Sequence, residues 1–446
     1  MKMKSFDVAV IGGGVLGCFA ARNLMRYQLS VVLIEAREDV CMEITRANSA
    51  IIYAGYDHHP GSLKASLTVR ANSSFDNLCR ELDVPFSRCG SLMTAYGEQG
   101  LSVLRKKLEQ GQKNGIPNLR LISGDEAREI EPMLSSSVRY ALYAPSTGTV
   151  NPWKLGIAAF ENARANGCEI LLNSPVVSLE KEGGQYRIET ADKEIFSKAI
   201  INCAGRSAVN IQDMLFPPSV RIRLDGADFY VFDSRSSHPS LILFEETENG
   251  KGITAVPCTE GNLLLDSPPR PYAAEYATTS EGLSVIRKEA SKLMPSLDFH
   301  NVIRSFGGIR VNPETSDGKD IRDFCIQRPE KTFWSLIGVK TPGLTCANEL
   351  GTLLASDCAS VLEAQQNPNF LPERKAIHCS ADSPIICQCE NIRKAEVQAA
   401  ILRGAVTFDG IKHRTGCGMG TCQGSRCRYE IEHLLKEKER SHEGTI

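Results

Sequence analysis

The sequence predicts a mixed α/β and α+β chain in three parts: a domain built on a parallel βαβ unit but discontinuous in sequence, an antiparallel-sheet domain threaded through it, and a small helical C-terminal domain. Three observations predict this. A glycine-rich turn, Gly12–Gly17, joins an apolar strand-like run to a helical one. Buried-strand patterns return at 198–203 and 333–339, with alternating, Gly- and Pro-punctuated stretches between them. Five cysteines crowd into the segment Cys387–Cys427.

The first element is Asp7–Ile11, followed by the turn, then Cys18–Arg26 with apolar residues at helical spacing, then Ser30–Glu35 as a continuous apolar run. Strand, turn, helix and strand in this order make a βαβ unit with a parallel pair. Lys198–Cys203, running into Ala204-Gly205, adds a later strand to that sheet. Phe333–Val339 adds another, and Thr341-Pro342-Gly343 and a helical run Leu344–Leu362 follow it. Residues 226–232 and 252–265 alternate in polarity, as antiparallel strands with one solvated face do. Residues 364–384 hold three prolines and no periodicity, and read as a linker. A small module starts at Ile385.

At 446 residues the chain exceeds what one hydrophobic core supports, so two or three domains are expected. Its 42% hydrophobic and 23% charged residues exclude the disordered, collagen-like and membrane classes. A formal net charge of -2, with no basic run interleaved with aromatics, excludes a nucleic-acid partner. The opening apolar run Phe6–Ile11 is too short for a signal peptide or a membrane span, so a cytoplasmic chain without a transmembrane segment is expected. In such a chain the sixteen cysteines read as buried thiols, metal ligands or redox groups rather than disulfides. Those scattered from Cys18 to Cys379 read as small buried hydrophobes.

Gly12-Gly13-Gly14-Val15-Leu16-Gly17 fits G-x-G-x-x-G and sits between strand and helix, where a dinucleotide fingerprint has a physical reason to be. Gly12 permits the tight turn, Gly14 lets the backbone approach a pyrophosphate, and Gly17 allows the helix to pack close to the strand. The phosphates would lie at the positive end of the helix. Glu35 ends the second strand, eighteen residues past Gly17, where a carboxylate can accept from a ribose hydroxyl. The fingerprint does not separate FAD from NAD. It occurs once, which disfavours a fixed flavin together with a nicotinamide site in the same chain.

The C-terminal module reads Cys387-Gln388-Cys389, a helical stretch Ile392–Leu402, then Gly416-Cys417-Gly418-Met419-Gly420-Thr421-Cys422 and Cys427 at the start of a helical Ser425–Glu437. An iron–sulfur cluster takes four thiolates. Structural zinc is the competitor, but its pairs are typically C-x2–4-C and the C-x-C start does not match. Adjacent His58 and His59 read as a solvated turn.

Thr45–Asp57 (TRANSAIIYAGYD) with Pro60-Gly61-Ser62-Leu63-Lys64, Ile201–Gly205, Phe306–Arg310 (FGGIR) and Gly338–Thr345 (GVKTPGLT) resemble the D-amino-acid-oxidase-like FAD-dependent oxidoreductases. Within them the chain is most similar to the branch of anaerobic glycerol-3-phosphate dehydrogenase and L-2-hydroxyglutarate oxidase. The cysteine module resembles the [2Fe-2S] domain of bacterioferritin-associated ferredoxin, matched by the Gly-Met-Gly-x-Cys-Gln-Gly-x-x-Cys run of Gly418–Cys427.

The resemblance implies a Rossmann-like FAD-binding domain (1–80, 146–212 and 305–363), an antiparallel substrate domain (81–145 and 213–304), a linker (364–384) and a [2Fe-2S] domain (385–437). It implies FAD contacts from Thr45, Asn48, Ser49, Val176, Ala204, Gly205, Gly338, Gly343, Leu344 and Thr345, and cluster ligation by Cys387, Cys389, Cys422 and Cys427, with Cys417 as a neighbouring thiol or, alternatively, a ligand that swaps in for one of them. Arg310 is expected to clamp a substrate anion, because a guanidinium offers a planar fork, and Tyr53 and Lys340 are expected to face the flavin. Tyr53 stands where the branch has His, Lys340 where it has an acid, and Leu264–Pro268 lacks its Gly-Pro.

The expected reaction is hydride removal from a small anionic hydroxy or amino compound, with electrons leaving through the cluster to a companion NAD- or quinone-linked subunit of a hetero-oligomer. An amino- or imino-acid dehydrogenase, and an electron-transfer subunit with a degenerate substrate site, are the alternatives.

Overall fold

The computed structural model describes residues 4–247, 250–274, 276–375 and 377–443. Its N-terminal strand Lys4–Ile11 lies at the centre of a parallel array, flanked by Val31–Ile34 on one side and Glu194–Asn202 on the other. Glu169–Leu171 extends the first side. On the far side, Glu194–Asn202 is shared along its length: its first half pairs antiparallel with Gln185–Thr190, its end parallel with Phe333–Ile337. The strands Val31–Ile34 and Phe333–Ile337 are buried along their whole length, as strands covered on both faces must be.

Helices Val15–Leu24, Leu63–Glu81, Pro152–Ala165 and Ala347–Val361 contribute to the core on one face of this sheet, with Phe19, Phe75 and Trp334 in its centre. Pro152–Ala165 begins sharply because Asn151 accepts from Lys154 N–H and Pro152 opens the helix, the residue whose missing N–H costs nothing there.

The second sheet runs 270–271, 220–232, 263–266, 250–257, 242–247, 91–95, 140–144, 120–123, with 302–315 on the other side of 220–232. It is antiparallel apart from the pair 242–245 and 91–94. One domain boundary differs from expectation. Val302–Thr315 pairs with Val220–Phe232 over its full length, so 305–315 belongs to the substrate sheet and the return to the first domain comes with Cys325–Glu330. From Arg304 to Thr315 the strand keeps one unbroken register against Val220–Val231, so it stays in that sheet throughout.

The segment 364–384 is also more than a linker. Asn162 Nδ2 donates to the carbonyls of Leu371, Pro372 and Glu373, Arg26 stacks over Phe370, and Arg374 is paired with Glu161. Polar side chains of the first domain hold a segment whose own side chains are too few to form a core.

The C-terminal module packs three helices, Lys394–Leu402, Phe408–Thr415 and Arg428–Glu443, around Val397, Ile401, Ile411 and Ile431. A short antiparallel pair, Ile385–Cys387 with Ile392–Arg393, accompanies them. Thr407 caps the second helix, and Gly416 ends it at φ 85°, a left-handed position that glycine takes without strain. Among the described residues no helix is long and apolar enough to cross a membrane.

Candidate active site and cysteine centre

A cavity of about 430 Å³ opens between the two sheets, within the range of cofactor and ligand sites. Its floor is the turn Gly12–Gly17. Gly12 has φ 101°, and a Cβ there would lie 2.6 Å from the Cys203 carbonyl oxygen. At Gly17 a Cβ would lie 1.8 Å from the Gly12 carbonyl oxygen. At Gly14 it would meet only Thr45 Oγ1, at 3.5 Å, leaving the space above the helix start clear. The helix start is left with orphan N–H groups. Thr45 Oγ1 accepts one of them, from Val15, at 3.0 Å.

Glu35 lines the cavity, with Oε2 accepting from Gly13 N–H at 2.5 Å and Oε1 from Arg37 N–H at 2.8 Å. Burial raises its pKa against these hydrogen bonds. Ala204, Gly205 and Val176 also lie on the wall, as do Asn48, Ser49 and the turn Gly343-Leu344. Asn48 shapes its own loop: its Nδ2 donates to Thr45 C=O and its Oδ1 accepts from Ala50 N–H. Gly17, Gly338 and Thr345 stand behind the wall. Gly338, at φ 60°, is pressed against Pro313, and Thr345 Oγ1 accepts from Tyr53 N–H at 3.1 Å, tying two loops together.

At the other end of the cavity the second sheet supplies Asp266 and Arg310, and loops after Ile51–Ile52 and Phe333–Ile337 supply Tyr53 and Lys340. Tyr53, Arg310, Lys340 and Asp266 all line it. The Arg310 side chain makes no hydrogen bond or ion pair among the described residues and is an available cation. Lys340 is engaged with Asn312 Oδ1, and burial lowers its pKa. Burial and the Asp266 carboxylate push the Tyr53 phenol up to about 12, against the pull of Arg310 and Ser49.

Asp266 is 2% exposed, its Oδ1 has no partner, and Lys251 Nζ stands 3.7 Å from its Oδ2. Lys251 was missed by sequence reasoning. It lies in an alternating strand where nothing separates a lysine that reaches a buried carboxylate from one that faces only solvent. His58, expected in a solvated turn, is instead largely enclosed, with Nε2 buried and unpartnered and its pKa pushed down to about 4 by burial.

The cysteine centre lies in the third module. The sulfur atoms of Cys387, Cys417 and Cys427 lie within 4.8 Å of one another, all buried. Cys389 and Cys422 form a second, more open group, and Cys389 Sγ lies 3.7 Å from Thr421 Oγ1. The two loops meet through glycines: a Cβ at Gly420 would lie 2.4 Å from that of Cys389. A hydrogen bond from Cys417, with backbone N–H groups of Gly418 and Glu390, pulls the Cys387 thiol down to about 5, and backbone N–H groups also lower that of Cys422. Such a nest of N–H donors suits thiolates bound to a cationic metal centre.

Both donor sets fit the groups the sequence implied. The glycine cradle, the helix N-terminus and Glu35 suit the diphosphate and ribose of a dinucleotide, and the thiol-rich pocket suits a cluster.

Comparison with known proteins agrees. The family profile described as FAD dependent oxidoreductase (DAO) matches residues 7–356, and that of the BFD-like [2Fe-2S] binding domain matches 385–437. A glycerol 3-phosphate dehydrogenase of Caloramator mitchellensis is 36% identical, over 99% of this chain and 97% of that protein. A glycerol 3-phosphate oxidase of Mycoplasma pneumoniae is 26% identical, over 77% of this chain and 92% of that protein. Human mitochondrial L-2-hydroxyglutarate dehydrogenase is 24% identical, over 72% and 80%. The solved structure of dithionite-reduced L-alpha-glycerophosphate oxidase from Mycoplasma pneumoniae, with FAD bound, superimposes with a TM-score of 0.77 at 24% identity, covering 84% of this chain and 100% of that one. With its cradle, its sheet-lined cavity and its cysteine centre, the chain belongs to the DAO family of FAD-dependent oxidoreductases and carries a BFD-like [2Fe-2S] domain at its C-terminal end.

Proposed function

We propose that this oxidoreductase is a dehydrogenase of a small anionic hydroxy compound, of the glycerol 3-phosphate or 2-hydroxy-acid type, and that its electrons leave through the [2Fe-2S] domain to a partner. The carrying observation is the unpaired Arg310 in the cavity that also holds the dinucleotide cradle. FAD supplies hydride acceptance from the substrate carbon. The protein's part is to bind, orient and exclude water. Arg310 receives the phosphate or carboxylate in a forked, charge-assisted pair. Tyr53, whose raised pKa keeps it protonated at neutral pH, donates a hydrogen bond to the substrate oxygen. Lys340 adds positive potential at the same end.

In this reading FAD is held by Gly12, Gly14, Glu35, Asn48, Ser49, Val176, Ala204, Gly205, Gly343 and Leu344. Thr45 lines the same cavity beside Gly14 and belongs to that shell. Gly17, Gly338 and Thr345 support it from behind. The cluster is held by Cys387, Cys389, Cys422 and Cys427, with Cys417 as the adjacent thiol. A companion NAD- or quinone-linked subunit would accept the electrons.

One observation favours a second reading. The partnerless oxygen of Asp266 would accept from a substrate ammonium while Arg310 holds its carboxylate, which suits an amino or imino acid. Anaerobic titration of the flavin absorbance with glycerol 3-phosphate, 2-hydroxy acids and amino acids tests both. Bleaching by the hydroxy compounds supports the first. Bleaching by amino acids alone, with ammonia released, replaces it by the second, and a flavin that none of them reduces sinks both.

A further inference from the structure

The [2Fe-2S] module is joined to the first domain by more than its chain connection. Arg414 lies three residues before Cys417, at the end of the helix Phe408–Thr415. Its guanidinium is 3% exposed, and it reaches across the boundary to two carboxylates of the first domain, Asp39 at 5% and Glu161 at 6% exposure. Its Nη2 donates to Asp39 Oδ1 at 3.1 Å and its Nε to Glu161 Oε1 at 3.3 Å. Glu161 also accepts from Arg374 at 2.7 Å and lies 3.7 Å from Arg403. The incoming chain, the module and the first domain are therefore tied at one carboxylate. Trp153 and His413 close the same boundary, their ring centres 5.5 Å apart.

Asp39 is not an arbitrary anchor. It belongs to the loop that leaves Glu35, and that loop returns at once to the cradle through Cys41 N–H, which donates to Gly13 C=O at 2.9 Å. Arg414 thus connects the loop preceding Cys417 to the backbone under the dinucleotide site through a short, fully buried path. Buried pairs are weak contributors to net stability, but they fix geometry, because any displacement leaves a charge without a partner.

We infer that Arg414 is a positioning residue that pins the [2Fe-2S] module to the FAD domain, so that the cluster takes electrons at one fixed separation from the flavin rather than by a swinging motion of the module. This rests on the reading that flavin electrons pass to the cluster. In that step the reduced flavin loses one electron and the cluster gains it; the second follows once an external one-electron acceptor, such as a ferricenium salt, has emptied the cluster. Electron transfer slows steeply as the separation of donor and acceptor grows and as a single geometry gives way to many, so loosening the pin has a measurable effect.

The test uses the full chain loaded with both cofactors, as wild type, Arg414→Met and Arg414→Lys, with Asp39→Asn as a milder variant should Arg414→Met fail to fold. Two readouts are taken: hydrogen exchange of residues 36–43 and 152–165, and the rate at which the cluster is reduced after the flavin is reduced by light with a sacrificial donor. The expected result is about tenfold faster exchange at both segments and cluster reduction slowed several-fold or more. Iron content, cluster spectrum and cluster potential should be unchanged, and Arg414→Lys should recover part of the rate. Unchanged exchange and an unchanged rate in Arg414→Met, or in Asp39→Asn where that variant is used, would overturn the inference. If the wild-type flavin never reduces the cluster, the electron-transfer reading fails instead, and the exchange measurement still decides whether the pin exists.

Discussion

Gly14 and Gly17 belong to one fingerprint, yet the structure assigns their substitution by alanine opposite consequences. A Cβ at Gly17 would sit 1.8 Å from the Gly12 carbonyl oxygen and 3.0 Å from its carbon, both backbone atoms of the adjoining strand turn. Ordinary contact begins near 3.4 Å, so helix and turn must separate by well over an ångström. Overpacking of this kind costs about 1–3 kcal/mol and sometimes more, and here no flexible side chain can yield. At Gly14 the backbone is φ -67°, ψ 173°, which alanine adopts freely, and its Cβ would meet only Thr45 Oγ1, at 3.5 Å. The apoprotein of Gly14→Ala should therefore melt within about 0.5 kcal/mol of wild type. What the methyl does occupy is the space through which the pyrophosphate approaches the helix N-terminus. A hundredfold loss of FAD affinity would remove about 2.7 kcal/mol of cofactor-dependent stabilisation.

The assay is thermal unfolding of both variants with and without added FAD, together with flavin occupancy after purification. Gly17→Ala should melt lower even without FAD. Gly14→Ala should match the wild-type apoprotein but respond weakly to FAD. Equal apoprotein melting of Gly17→Ala and wild type, or full flavin occupancy of Gly14→Ala, would refute this division of roles.

Other outcomes follow from the same geometry. Arg310→Ala should reduce kcat/KM for an anionic substrate by about a hundredfold without altering flavin content, the effect of losing charge-assisted hydrogen bonds; steady-state kinetics checks it. Serine at Cys387, Cys389, Cys422 or Cys427 should abolish or deplete the cluster, whereas Cys417→Ser should keep two irons per chain; iron and sulfide analysis distinguishes them. Gly420→Ala should also lose iron, because its Cβ would lie 2.4 Å from that of Cys389 and hold the two ligand loops apart. His413 is kept neutral by burial against Trp153, its pKa pushed down to about 4 from an ordinary 6.5. As pH falls below 6.5 the unfolded chain takes up a proton there first, so stability falls through the interval down to 4 and levels off below it. The loss at this one site is on the order of 3 kcal/mol, and His413→Gln should melt with a correspondingly shallower pH dependence over that interval.

Much of this protein is legible in its sequence, because local rules act locally. Gly12–Gly17 could serve only a strand-to-helix turn, and helix Val15–Leu24 and strand Val31–Ile34 form where the apolar spacing places them. Cys387-x-Cys389 and the glycine-flanked cysteines after Gly416 mark a metal centre by composition alone, and motif resemblance carried the family.

What the sequence left open depends on partners far apart along the chain. Val302–Thr315 joined the substrate sheet because Val220–Phe232 offered it a full-length edge, which no local pattern announces. The segment 364–384 looked unstructured since its contacts come from Asn162 and Glu161, some two hundred residues away. The buried Asp266 and the partly exposed Lys251 came within reach of each other only when their two strands paired. The alignment of Arg414 with Asp39 spans 375 residues. The sequence by itself determined the elements, the cofactor cradle and the ligand types, because each follows from backbone sterics and side-chain chemistry within a few residues. Only the tertiary structure decided which charges are buried together and which face the cavity, because burial and electrostatic pairing are properties of the assembled chain.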